Sequence, residues 1–162
     1  MPSADSPHAL TVETRGELDL VITRRFDAPR RLIWAAYTEP RHIQQWILGP
    51  DGWSMPVCEV DLRVGGHWKF GYRKAGVPEM TLSGTYVEIT PPSRLVSTER
   101  WGPEWPETRN TVELTEQSGV TTMTITVTYP DTAARDAALK TGMTGGMEMS
   151  YQKLERLLST LA

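Results

Sequence analysis

The chain is poor in the residues that build disulfides and metal centres. Its 162 residues include one cysteine, Cys58, and three histidines. A lone cysteine excludes an intramolecular disulfide, and scattered histidines with a single thiol give no metal-ligand spacing, so no metal is expected. A basic excess is also missing. Seventeen Lys and Arg against 20 Asp and Glu leave a net charge of -3, and nothing basic clusters beyond pairs such as Arg24-Arg25 and Arg30-Arg31, which argues against a nucleic-acid partner. No apolar run approaches the roughly 20 residues of a membrane span. The opening "MPSADSPHAL" lacks the basic and apolar regions of a signal peptide, and together with the cysteine usage this makes a cytoplasmic location the expectation. There is no G-x-S-x-G elbow, no G-x-G-x-x-G and no Walker spacing, so neither a cofactor nor a catalytic residue is assigned. Repeats, low-complexity tracts and linkers are absent as well. Residues 1–8 read as a flexible arm and residues 9–162 as a single domain.

What is present is a clear order of elements. "ELDLVITRRFD" alternates Leu18, Leu20, Ile22 and Phe26 against Asp19, Thr23 and Arg25, the period of a strand. "APRRLIWAAYTEPRHIQQWIL" then switches to helical spacing. Pro29 starts a first helix with Ile33, Ala36 and Tyr37 on one face, and Pro40 ends it and begins a second with Ile43, Trp46 and Ile47. Six further strands follow, each closed by its own Gly, Pro or Ser breaker. In the last of them Met123, Ile125, Val127 and Tyr129 alternate with Thr122, Thr124, Thr126 and Thr128, so one face is buried and the other wet. "DTAARDAALKTG" suggests a short helix. The closing stretch repeats apolar residues at Met143, Met147, Tyr151, Leu154, Leu158 and Leu161, a helical stripe from about Gly145 onward. That stripe needs a partner. The one-sided antiparallel meander is the partner on offer, which makes the fold class α+β: a curved antiparallel sheet of about seven strands around a long C-terminal helix, with two short helices after the first strand.

Four stretches, "RRFDAPRRLIWAAYTEPRHIQQW", "VCEVDLRVGGHWKF", "GTYVEITPPSRLV" and "GGMEMSYQKLERLL", occur in this order between Leu18 and Leu161. Together they resemble the homologues of the heat-shock protein 90 ATPase activator, within the START-like and birch-pollen-allergen superfamily of helix-grip folds, also called SRPBCC. The resemblance implies a sheet that grips the last helix with a hydrophobic cavity between them. Its eukaryotic activator carries an additional N-terminal domain that contacts the chaperone, and the residues before Leu18 offer no counterpart. Single-domain members are described as binders of small hydrophobic ligands or as stress-associated proteins. The resemblance therefore implies a small hydrophobic molecule as the first expected partner, with chaperone contact behind it.

Six tryptophans and seven methionines give polarizable, shape-tolerant surface suited to apolar ligands. On the helix-grip arrangement Trp46, Trp53, Trp68, Phe70 and Trp101 fall at the cavity wall or mouth, and Met143, Met147 and Tyr151 cap it. A solid core would use the same residues, although it would favour Leu, Ile and Val. Gly142, Gly145 and Gly146 would let the last helix begin close to neighbouring backbone with freedom to move. Further polar candidates are Glu59, Tyr86, Glu99 and Arg100. In "RLVSTERW" parity places Leu95, Ser97, Glu99 and Trp101 on one face, so Glu99 either lines the cavity as a buried carboxyl or sits at a wet mouth. His42 and His67 are expected to be solvated, and Cys58 to be a small buried hydrophobe. Three functions follow: a binding module for a small hydrophobic or aromatic molecule, an aromatase- or cyclase-like enzyme drawing on Glu59, Glu99, Tyr86 and Tyr151, or a protein-interaction module. A homodimer through the outer sheet face or an edge strand is compatible with each.

Overall fold

A computed structural model describes residues 8–161. The expected arm, residues 1–8, lies outside the described residues except for its last position. In chain order the elements are β1 (Thr11–Arg15), β2 (Asp19–Phe26), α1 (Arg30–Thr38), α2 (Pro40–Trp46), β3 (Ser54–Val60), β4 (His67–Lys74), β5 (Val77–Thr90), β6 (Arg94–Trp101), β7 (Thr108–Gln117), β8 (Val120–Thr128), α3 (Thr132–Leu139) and α4 (Met143–Leu161). The strands form one open, antiparallel, eight-stranded sheet in the order β1-β2-β8-β7-β6-β5-β4-β3.

The expected α+β helix-grip architecture is present, with one strand more than expected and the two short helices after the second strand instead of the first. The added strand is β1, and every one of its residues is exposed. It has no apolar alternation to display, because it joins the sheet through backbone pairing with β2 alone.

The helical punctuation follows from proline. Glu39 has extended backbone (φ -101°, ψ 121°) because Pro40 follows it, and the same proline occupies the first turn of α2, where a missing N–H costs nothing. In β8 the alternation resolves as expected: Met123, Ile125 and Val127 are buried while Thr122, Thr124 and Thr126 are partly exposed.

The inner face of the sheet carries two apolar clusters. One joins β2, β7 and β8 to α1 and α4 through Leu20, Ile22, Phe26, Leu114, Met123, Ile125, Tyr151, Leu154 and Leu158. The other joins β3, β4, β5 and the start of β6 to α2 through Met55, Trp68, Phe70, Tyr72, Leu82, Leu95 and Ile43. Trp34, Ile47 and Val112 touch both. Burial of these side chains is the main term holding helices to sheet, at about 25 cal/mol per Å² of apolar surface. α4 is further fastened by an ionic clamp: Arg24, whose side chain is 0% exposed, reaches from β2 to Glu148 and Glu155 at 2.9 Å each.

Candidate functional site

Between the two clusters runs a strip of the inner face that is not apolar. β6 and β7 pair Ser97 with Asn110 and Glu99 with Thr108, so these four side chains share the face on which Leu95 and Val112 also pair. All four are only partly buried. Asn110 donates to Thr108 Oγ1 at 3.0 Å, and Thr108 donates to the Glu99 carbonyl at 3.4 Å. The strip is bound to itself.

Glu99 is the one ionisable group in that strip. Trp101 Nε1 donates to its Oε1 at 3.0 Å, the one hydrogen bond of this carboxyl among the described residues. Burial pushes its carboxyl up to about 7 from 4.5, against the opposing effect of the Trp101 hydrogen bond. The side chain is thus deeply enclosed by protein and still partly reachable.

Four tyrosines lie near enough to feel the Glu99 charge: Tyr37 on α1, Tyr72 on β4, Tyr129 just after β8 and Tyr151 on α4. Burial raises the phenol of each, that of Tyr129 to about 12, so all are neutral hydroxyls at ordinary pH. Their hydroxyls have weak partners. Tyr151 donates to Tyr37, which donates to the Met123 sulfur at 3.3 Å, and Tyr129 approaches the Met143 sulfur at 3.7 Å.

The sequence-predicted residues divide around this polar strip. Met143 and Met147 are partly buried in the first turns of α4, above the first cluster, and Tyr151 is buried one turn on. Trp101 is 43% exposed and stacks on Tyr72 with ring centroids 6.1 Å apart and 17° between planes, which puts it at a mouth beside Glu99. Trp53 is partly buried against the second cluster, with Lys74 Nζ 5.7 Å from its ring centroid. Trp68 and Phe70 pack at 4.8 Å within that cluster. Trp46 is 1% exposed and donates its indole N–H to the Ala36 carbonyl at 2.8 Å, so it backs Tyr37 as packed core.

Three expectations change. Glu59 is exposed, its register with Lys69 placing it on the outer face opposite Cys58, so it does not converge with Glu99 as an acid–base pair. His42 is buried beneath α2 with an unpartnered Nδ1, where solvent was expected, while His67 is exposed as expected. Cys58 is partly buried, and burial raises its thiol to about 11. Tyr86, the remaining candidate, is buried in the second cluster, and burial raises its phenol. The residues that sequence inspection missed are Tyr37, Tyr72, Thr108, Asn110 and Tyr129. Among the described residues no group of three or more His, Cys, Asp or Glu could hold a metal ion, and no helix is long and apolar enough to cross a membrane.

Residues 27–159 match the family described as Activator of Hsp90 ATPase homolog 1-like protein. The chain belongs to that family. Solved structures place the fold in the same group. A crystal structure from Rhodobacter sphaeroides is 27% identical, with a TM-score of 0.89 over 94% of this chain and 99% of that one. One from Nitrosomonas europaea is 28% identical, with a TM-score of 0.78 over 90% and 96%. An AHSA1-like protein from Aeromonas hydrophila, 20% identical with a TM-score of 0.67 over 85% and 93%, shares the fold. No curated protein matches the chain. As a member of this family the chain carries the helix-grip frame on which the polar strip and its tyrosines are mounted.

Proposed function

We propose that the chain binds a small hydrophobic or aromatic molecule in the hollow between the sheet and α4. The observation that carries this is the polar strip of inner face between the two apolar clusters, formed by Ser97, Glu99, Thr108 and Asn110, with four buried tyrosines near enough to feel the Glu99 charge. Trp34, Ile47 and Val112 join the clusters, yet this strip of the inner face stays polar, and a core packed throughout would not leave a carboxyl there with a free oxygen. Enclosing roughly 200 Å² of apolar ligand surface would contribute about 5 kcal/mol, enough for useful affinity with no covalent chemistry.

Intrinsic tryptophan emission tests the proposal directly, because Trp101 and Trp53 stand at the rim. Titration with fatty alcohols, sterols, flavonoids and aromatic polyketides is expected to shift or quench the emission and raise Tm. Ser97→Trp, which fills the floor, should abolish the response while the protein remains folded, and Met147→Trp should do the same from the helix side. No shift with any compound, or unaltered binding in both filled variants, would remove the hollow as the functional site.

A second reading, a chaperone-regulating interaction module, is favoured by the exposed apolar turn between β3 and β4, where Leu62 is 41% and Val64 65% exposed. A rise in the ATPase rate of the chaperone that Leu62→Asp with Val64→Asp cancels would support it.

A further inference from the structure

We propose that the molecule bound in this hollow is a lipophilic amine, held as its ammonium ion by Glu99 and the surrounding aromatic rings, and that carboxylic acids of the same shape are rejected. This rests on the hollow proposed above and adds the sign of the ligand's charge.

The Glu99 carboxyl has one hydrogen bond among the described residues, from Trp101 to one of its oxygens. No basic side chain acts on it: burial and the Trp101 bond are the causes that set its carboxyl. Arg24, a cation on the inner face, is committed to Glu148 and Glu155 and its side chain has no exposed surface, and Lys74 lies over the Trp53 ring. The hollow therefore holds an acid with no protein counter-ion, and an ion entering it supplies the missing charge. Trp101, bonded to that acid, stacks on Tyr72, and Tyr37, Tyr129 and Tyr151 lie near enough to feel its charge; the faces of aromatic rings attract cations, more strongly when water is displaced. A ligand carboxylate would meet Glu99 as a like charge in a poorly solvated space, where repulsion is several times stronger than in water. Neutral hydroxyls would gain only a hydrogen bond.

Protons balance as follows. The amine enters as the ammonium ion it already is in solution, and whatever fraction of Glu99 is protonated releases its proton to solvent as the ion pair forms. The groups facing Glu99 are Trp101 from β6, Tyr37 from α1, Tyr72 from β4 with Cys58 of β3 beyond it, Tyr129 after β8, and Tyr151 from α4 with Glu148 beyond it. The phenols and the thiol are uncharged at neutral pH, so Glu99 is the proton donor.

Phenylbutylamine, phenylbutanol and phenylbutyrate, which share one apolar body, separate the alternatives by calorimetry at pH 7. The amine is expected to bind about tenfold or more tightly than the alcohol, and the acid most weakly. Repeating the amine titration in buffers of different ionisation enthalpy should reveal net proton release, a readout that needs no variant. Glu99→Gln should cost the amine about tenfold in affinity or more and leave the alcohol unchanged, the alcohol reporting that the variant is folded. Alcohol or acid binding as tightly as the amine overturns the amine assignment while leaving the hollow intact, and so does amine binding without proton release. Failure of all three to bind removes the hollow, and the amine site with it.

Discussion

At the scale of single residues the deciding group is Glu99. A carboxyl raised from 4.5 to about 7 by burial favours the protonated form in the folded protein. Its contribution to stability is therefore complete below about pH 4.5 and is lost as pH rises through about 7, the opposite sign to a carboxylate held in an ion pair. Glu99→Gln removes that dependence. Urea unfolding midpoints of the two proteins between pH 5 and pH 8 should diverge, the wild type losing on the order of 2 kcal/mol relative to the variant across the range. Parallel profiles would place Glu99 in water. This residue was legible from sequence because strand parity set it with Leu95 and Trp101 on one face. Thr108 and Asn110 were not, because they meet Glu99 only through the β6–β7 register, and the loop between those strands does not announce which residues it aligns. Tyr37 and Tyr129 were visible as apolar-face positions, but their approach to one carboxyl from α1 and from the end of β8 is a product of tertiary packing.

At the scale of elements, the sequence shows strands ending on breakers and the first three helices beginning near a proline or a capping residue, such as Asp131, which accepts from the Ala134 N–H at 2.7 Å. It hides β1, whose exposed residues carry no period, and it hides the clamp that fixes α4. Glu148 and Glu155, two turns apart, both receive Arg24, and Glu148 also accepts from the Leu10 N–H at 3.0 Å. Burial opposes the Arg24 charge, but the hydrogen bonds and attraction of Glu155 and Glu148 outweigh it. An arginine in a strand otherwise facing the core looks like an outward residue until its partners are known. Removing one member of such a group leaves the others uncompensated, so Arg24→Ala should cost about 3 kcal/mol. Arg24→Met combined with Glu148→Gln and Glu155→Gln should restore much of that loss, because the apolar replacement fits the same space and no charge is stranded. Urea denaturation of the single and triple variants measures both, and a triple variant as unstable as the single would assign the loss to packing instead of charge.

At the scale of the whole molecule the two ends of α4 differ. Its C-terminal half is fixed by buried Leu154, Leu157 and Leu158, whereas its first turns carry exposed Gly145 and Met149 with partly buried Met143 and Met147. Between them Ser150 and Lys153 hold the loop after α2, through the Gly49 N–H at 2.8 Å and the Gly49 carbonyl at 2.8 Å. A helix pinned in its middle and along one half, with glycines in the other, opens most readily at its glycine end. Added methyl groups would meet nothing within 4 Å at Gly145 and only Pro50 at 3.8 Å at Gly146, so alanine fits both positions without strain. Gly145→Ala with Gly146→Ala should then raise stability by about 1 kcal/mol through lost freedom of the unfolded chain and better helix propensity. The same pair should slow amide exchange in residues 143–149 toward the rate of residues 150–161. If this end is the way in, association and dissociation of a bound molecule should slow together, by similar factors, with Kd nearly unchanged, because the open state becomes rarer while the closed site keeps its contacts. Stopped-flow tryptophan emission measures the rates. Stabilisation with unaltered rates would mean that ligands pass elsewhere, past Trp101 at the end of β6.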